Sequence, residues 1–222
     1  MMGKAPVHNP RVRVDTARKP VLHLNGIRAQ DRSGLTSIQI DDVTLHSGEV
    51  LGIAGISGNG QMELMEVLTG QRRLQAGEIR AIGTRYTATR AEARQHKIRY
   101  LPEEPLRNAC APKMSVADNL AFKMFDVRRN GQPAFWCSRK DMARNADRLI
   151  AEFNVKTTSP DARIASLSGG NVQRAVLGRE LTGEVNALII SNPCFGLDFG
   201  AVSAIRDRII EARNNGTAVL LI

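Results

Sequence analysis

An α/β fold with a helical insertion is predicted for this chain, and three observations carry that expectation. EVLGIAG (49–55) is a short apolar run suited to a buried strand, and it passes through glycine-rich residues 55–60 into QMELMEVLTG, a helical pattern stopped by Gly70. Residues from about 106 to 165 have a different texture, with helical spacing through Met142, Leu149 and Ile150. After LSGGN (167–171) the alternation resumes as a helix, the buried strand NALII, a helix and the strand TAVLLI.

Residues 1–20 carry Pro6, Pro10 and Pro20 among charges with no apolar period, and read as a linker or extended arm. VLHLNGI and SIQIDDVTLH then alternate apolar and polar residues, the mark of half-buried strands. Gly48 marks a turn before EVLGIAG. AGEIRAIG suggests a further strand, and IRYLPEEP a strand broken by two prolines. In the central lobe, SVADNLAFKMF begins with a Ser-x-x-Asp start signal, and SRKDMARNADRLIAEF supplies the longest helical pattern. Met114, Met124 and Met142 read as core filling for that lobe. The core continues through the helix of AVSAIRDRIIEARN.

At 222 residues, 42% of them hydrophobic and 24% charged, the chain can bury one sizeable core with a smaller lobe attached. The longest apolar runs fall short of the ~20 residues a membrane helix needs, and MMGKAPVHNPRVRV has no apolar secretory region. Cys110, Cys137 and Cys194 are odd in number, lack CxxC spacing and read as free thiols. The formal charge of +9 would attract phosphate-bearing partners. With no nucleic-acid motif and Trp136 the only tryptophan, it reads instead as a solvated linker and helical face, with a membrane surface second; no nucleic acid is expected. His8, His23, His46 and His96 neighbour no motif and have no metal-ligand spacing; they read as surface or strand residues.

A strand, a glycine-rich loop and a helix together make an anion trap, because loop N–H groups turn inward and the helix N-terminus adds partial positive charge. GISGNGQM (55–62) has this form. Gly55, Gly58 and Gly60 fall where a phosphate loop needs close backbone approach, but Gln61 and Met62 stand where the pattern asks for Lys and then Ser or Thr. Alone, such glycines would suit a tight turn equally well. In LSGGNVQR, Ser168 can cap the following helix, presenting a hydroxyl and two unobstructed N–H groups to an anion. The buried strand of ALIISNPCFGLD (187–198) follows.

Taken in this order, the three segments resemble the nucleotide-binding domain of ABC transporters, over roughly residues 20–222. LSGGN (Leu167, Ser168, Gly169, Gly170, Asn171) looks like the family signature, ALIISNP occupies the Walker B position, and Gly196, Leu197 and Asp198 look like the D-loop. RYLPEEP occupies the Q-loop position, with Glu103 where Gln is usual. The resemblance implies a P-loop NTPase core of the ABC ATPase type, with an antiparallel β subdomain and a helical subdomain inserted at about 106–165. Gly-Asn-Gly-Gln, YLPEEP, SVADNL and LSGGN together look like the second, C-terminal ATPase half of importers for simple sugars and nucleosides, in which two halves are fused. On that reading MMGKAP resembles the tail of the first half and residues 6–20 the linker. The domain over 21–222 is then expected to be a fragment that stops before the switch (H-loop) segment.

ATP is the ligand the resemblance implies, held by Gly55, Ile56, Ser57, Gly58, Asn59, Gly60, Gln61 and Met62. Mg²⁺ would accompany the nucleotide, but two of its ligand positions are changed. Met62 offers no hard oxygen, and Ser191 stands where an Asp should hold the metal. Asn192 stands at the position of the catalytic Glu and cannot accept a proton, although it could orient a water molecule. No aromatic in SIQIDD or IRAQD offers an adenine platform. The resemblance nonetheless implies a role. Two domains of this family face head to tail, so the intact signature would lie over ATP held by a second ABC ATPase domain, with Asp198 hydrogen-bonding across the interface. A transmembrane permease is the other implied partner, and the cytoplasmic face of the plasma (inner) membrane the implied peripheral location. Two other readings stay open. One is a catalytically inactive fragment or binding module. The other is a non-transport ABC protein acting on DNA or ribosomes, favoured by charge alone; a DNA-repair member would carry a coiled-coil insertion longer than the 106–165 lobe.

Overall fold

The structure is a computed structural model that describes residues 18–30, 34, 37–56, 58–124 and 138–222. The arm reading (apart from its last three residues), Ser57, Trp136 and Cys137 lie outside the described residues.

In chain order, two long strands, β1 (Pro20–Gln30) and β2 (Ser37–His46), precede a short strand β3 (Val50–Gly52) and helix α1 (Gln61–Leu68). β4 (Ala76–Ala81), β5 (Thr84–Arg85), α2 (Arg90–Gln95) and β6 (Ile98–Leu101) follow. Next come α3 (Pro105–Asn108), α4 (Val116–Leu120), α5 (Arg139–Glu152), a 3-10 turn (Ile164–Ser166) and α6 (Gly169–Glu180). The last are β7 (Ala187–Ile190), α7 (Phe199–Asn214) and β8 (Ala218–Leu221). The described residues divide into two compact units, one with residues up to Tyr100, Glu184–Asn192 and Arg206–Ile222, the other with Leu101–Gly183 and Pro193–Ile205.

The first unit contains an antiparallel sheet in the order β2-β1-β4-β5 and a second sheet in the order β3-β8-β7-β6. β1 carries the predicted alternation but shifts phase midway. Leu22 and Leu24 are buried on one side of the shift, Ile27 and Ala29 on the other, and the pairing with β4 is irregular between Asn25 and Arg28. Gly26 sits there with φ 60°, and its carbonyl oxygen would lie 2.3 Å from a Cβ on Gly77. The phase of a period-2 pattern can change only where the strand is locally disrupted. In the second sheet β8 pairs in parallel with both β3 and β7. Strands inside a parallel sheet are buried on both faces, which is why Ala187, Leu188, Ile189 and Ile190 of β7 form an unbroken apolar run, all fully buried. Each large side chain so buried contributes about 1.5–3 kcal/mol.

The second unit is helical around α6, which packs against α3, α4 and α5. Position by position α6 is buried from Ala175 to Glu180. α4 begins with the signalled box: the Ser115 hydroxyl accepts from the Asp118 N–H at 3.0 Å, and Asp118 Oδ2 accepts from the Ser115 N–H at 3.2 Å. Ser138 caps α5, its hydroxyl accepting from the Asp141 N–H at 3.2 Å. The methionines do not fill this core as expected. Met114 is 43% exposed, and Met124 and Met142 are half-buried. Cys110 and Cys194 are free thiols. His96 is not a surface or strand residue; it is buried at the end of α2, edge-on to the Tyr86 ring, with its Nε2 3.3 Å from the Thr84 hydroxyl.

Candidate functional site

Because β3, β8 and β7 run parallel, the backbone leaves β3 and β7 at the same edge of the sheet. In open α/β sheets ligands collect at this carboxyl edge. The strand between them ties both exits down. The Ile53 N–H donates to the Leu221 carbonyl at 2.7 Å, and the Asn192 N–H donates to the Ile222 carbonyl at 2.8 Å.

Between β3 and α1 the glycine loop takes conformations that side chains resist. Gly58 has φ 93° and Gly60 φ 91°, and a Cβ on Gly60 would come within 2.0 Å of Ile38 Cγ2. Gly60 is thereby fixed as glycine by both strain and space. It is the N-cap of α1, and the first intrahelical bond runs from the Leu64 N–H to the Gly60 carbonyl. The N–H groups of Gln61, Met62 and Glu63 consequently have no acceptor within the helix. These are the donors an anion would meet. The side chains differ from what a triphosphate site needs. Gln61 folds back, its Nε2 donating to the Ile56 carbonyl at 3.3 Å, which also accepts the Asn59 N–H at 3.1 Å. The same Nε2 would lie 2.3 Å from a Cβ on Gly55, so Gly55 is what lets the carboxamide lie against the loop. Met62 is 67% and Ile56 79% exposed.

Ser191 and Asn192 follow β7 at the same sheet edge. Asn192 has φ 40°, a left-handed conformation that Asn tolerates better than other side chains. As a magnesium site the set does not fit. Between them Met62 and Ser191 supply one neutral hard oxygen, whereas Mg²⁺ takes carboxylate and phosphate oxygens. No cluster of three His, Cys, Asp or Glu side chains suited to a metal occurs among the described residues.

The second unit holds the other sequence-predicted residues and brings two groups of them together. Ser168 occupies the N-cap of α6, as the sequence suggests, but its side chain makes no capping bond. The N–H groups of Asn171 and Val172 turn to the Ser168 backbone carbonyl instead, at 2.9 and 3.0 Å. Asn171 bridges outward from the helix: its Nδ2 donates to Ser168 Oγ at 2.9 Å and its Oδ1 accepts from the Lys156 N–H at 2.8 Å. Gly169 and Gly170, the first two helical residues, face Leu197. Cβ atoms built on them would lie 4.0 and 3.8 Å from Leu197 Cδ2, and the one on Gly170 3.2 Å from Ala201 Cβ. Segments 167–171 and 196–198 thus form one surface, Ser168 and Asp198 both exposed. Asp198 Oδ1 accepts from the Ala201 N–H at 2.9 Å and caps α7. That bond, together with the Gly200 N–H and the nearby Arg174 cation, holds its carboxyl below the ordinary value of 3.8. Leu167 closes the 3-10 turn through its N–H to the Ile164 carbonyl at 3.1 Å. Glu103 lies just before α3, its carbonyl accepting from Asn108 Nδ2 at 2.6 Å. Sequence reasoning missed Lys156 and Arg174 as neighbours of these segments. Arg174 had a signal, being the Arg of LSGGNVQR, whereas Lys156 takes part through its backbone and carries none.

Comparisons with known proteins agree on the class. A family model described as ABC transporter matches residues 38–194. The chain is 35% identical over 207 residues to the glucose import ATP-binding protein TsgD13 of Haloferax volcanii, covering 92% of this chain and 38% of that protein. It is 29% identical over 223 residues to the guanosine import ATP-binding protein NupO of Bacillus subtilis, covering 100% of this chain and 44% of that one. With the nucleoside import ATP-binding protein NupA of Lactococcus lactis it shares 32% identity over 203 residues, 91% of this chain and 40% of the relative. The chain spans about two fifths of the length of these relatives. Among solved structures, an ATP-binding cassette of an ABC transporter superposes with a TM-score of 0.73 at 20% identity, over 91% of this chain and 81% of that one. The cbiO1 protein of Clostridium perfringens, part of the ABC transporter complex cbiONQ, gives 0.69 at 18% identity, over 92% and 78% of the two chains.

Proposed function

The chain belongs to the ABC transporter family, and from that premise we propose that it is an ATP-binding half of an importer for simple sugars or nucleosides, one that holds nucleotide weakly and lends its signature to a partner. The solute class comes from the glucose, guanosine and nucleoside import proteins it resembles. Its partners are a second ABC ATPase domain, facing it head to tail, and a transmembrane permease. Among the described residues no helix is long and apolar enough to cross a membrane, and a peripheral place on the cytoplasmic face of the permease accords with that.

One contrast carries this reading. Gln61 spends its carboxamide on its own loop and Met62 offers a thioether, while Ser168, Gly169 and Gly170 stand at an open helix N-terminus backed by Leu197. The loop of residues 55–62 can still cradle ATP through backbone N–H groups, without the cation that the β- and γ-phosphates need. Asn192, at the end of β7, can orient a water molecule but not deprotonate it. Hydrolysis at this chain's own site is accordingly slight. Donors at the start of α6 would meet the γ-phosphate of ATP held by the partner, where charge shifts as phosphoryl transfer proceeds.

The test is Ser168→Arg, made in the chromosomal gene and purified through a tag on this chain with every native partner present. ATP turnover of the assembly should fall strongly, while nucleotide affinity of the isolated chain stays within twofold. Unchanged turnover in the assembly would reject trans-donation and favour the reading as an inactive binding module, to which Asn192 and Met62 already lend support.

A further inference from the structure

Asn171 stands within the segment that the preceding reading lays over a phosphate, yet both ends of its carboxamide are engaged inside the protein. We infer that Asn171 is a positioning residue: it acts through Ser168, turning the serine hydroxyl proton outward toward the anion. The inference rests on the reading of the signature as a phosphate-facing surface.

An N-cap serine ordinarily spends its oxygen on the N–H of the second or third helical residue. Here the third, that of Asn171, goes to the Ser168 backbone carbonyl at 2.9 Å, and the hydroxyl is released from capping. Its oxygen accepts a hydrogen bond from Asn171 Nδ2 at 2.9 Å. A hydroxyl that accepts one bond keeps its own proton free to donate. Ser168 is exposed and stands immediately before Gly169 and Gly170, whose N–H groups have no acceptor within the helix, so its proton is available to an anion that meets those donors.

What sets the direction of the carboxamide is a backbone donor. The Lys156 N–H needs an oxygen, and at 2.8 Å it takes Asn171 Oδ1. With the oxygen committed there, the NH₂ end has to face Ser168. The chain of donors therefore runs one way, from Lys156 N–H through the asparagine to the serine and out to the ligand. An aspartate at 171 would satisfy Lys156 equally well but would draw the Ser168 proton inward, leaving a lone pair to meet the phosphate. That pattern repels an anion.

Coupling between the two residues decides the matter. Asn171→Ala, Asn171→Asp, Ser168→Ala and the double variant Ser168→Ala/Asn171→Ala are each introduced chromosomally, and the native assembly is purified through this chain. ATP turnover is measured per folded complex, with protection of the Lys156 amide from hydrogen exchange as the structural control. Asn171→Ala should lower turnover about tenfold, the size of one lost hydrogen bond to a charged group. Asn171→Asp should lower it at least as far while keeping Lys156 protected. The double variant should match Ser168→Ala within twofold, because a residue that works through Ser168 has nothing left to position. Multiplying effects in the double variant, or wild-type turnover in Asn171→Asp, would overturn the inference while leaving the phosphate-facing signature intact. Wild-type turnover in Ser168→Ala would instead bring down the reading beneath it.

Discussion

Gln61 donates through Nε2 to the carbonyl of Ile56, 3.3 Å away, so the side chain that follows the last loop glycine binds its own loop. A lysine at this position would carry a charge that the carboxamide lacks. Gln61→Lys with Met62→Ser should therefore tighten ATP binding by roughly 10- to 100-fold, the worth of a charge-assisted contact of about 1.5–3 kcal/mol. Calorimetric titration of the isolated chain reads this directly. No gain on restoration would mean that the loop does not meet phosphate.

Gly178 lies where α6 touches Phe153, and a Cβ there would stand 2.8 Å from Phe153 Cδ2 and 2.9 Å from Cγ. Two effects oppose each other in Gly178→Ala. Helix propensity favours alanine by about 1 kcal/mol, while a close contact with a buried ring costs about 1–3 kcal/mol. Because Phe153 is only 7% exposed and cannot swing away, the contact should win. Urea denaturation should show a net loss, and Gly178→Val a larger one.

Arg179 and Glu180 form an ion pair at 2.9 Å inside the second unit, with side chains 5% and 0% exposed. Arg179 also donates through Nη1 to the carbonyls of Ala109 and Asn119, at 2.9 and 3.2 Å, and its guanidinium lies 5.5 Å from the centre of the Phe122 ring. Lys123 Nζ reaches Glu180 at 3.5 Å. Arg179→Met should cost about 3–5 kcal/mol by stranding the carboxylate with Lys123 alone. Arg179→Met combined with Glu180→Leu should recover part of that loss. A double variant as damaged as the sum of its parts would show that the pair is not the source.

Asp198 caps α7 with a carboxyl held below 3.8, first by the Ala201 N–H. A carboxyl lowered on folding stabilises the folded state above its unfolded value and loses that effect as pH falls through the lower folded value. The Ala201 amide resonance should therefore titrate with a midpoint under 3.8, and Asp198→Asn should abolish that titration while keeping a cap. A midpoint at or above 3.8 would contradict the bond.

Much of this architecture was legible because it depends on local pattern. The alternation in SIQIDDVTLH, the apolar run of NALII and the Ser115–Asp118 box each declare one element without reference to distant residues. The α2 helix carried the same kind of signal, Thr89 and Glu92, whose box is complete in the structure. It lies in a charged stretch with no buried face, so no apolar period marks it in the sequence. The phase shift at Gly26 was not legible, because it is imposed by the close approach of Gly77, fifty-odd residues onward in a separate strand. At the candidate site the glycines and LSGGN were visible as types at spacings. What their side chains bond to was not. Gln61 returning to Ile56, Asn171 held by the Lys156 N–H, and Ser168 declining to cap its helix all depend on backbone groups, and these have no letter in a sequence.

β8 lies between β3 and β7 although it follows both in the chain, with Val50 beside Val219 and Ala187 beside Ala218. These neighbours cannot zip in the order of synthesis. Until the last of them slots in, neither the glycine loop nor Asn192 has the Leu221 and Ile222 carbonyls that anchor it. Contacts so distant in sequence form slowly and late. A nucleotide would then find its cradle only after the rate-limiting barrier to folding has been crossed. In stopped-flow experiments ATP should slow unfolding and leave the refolding rate untouched, so the ligand guards the finished protein and has no part in making it.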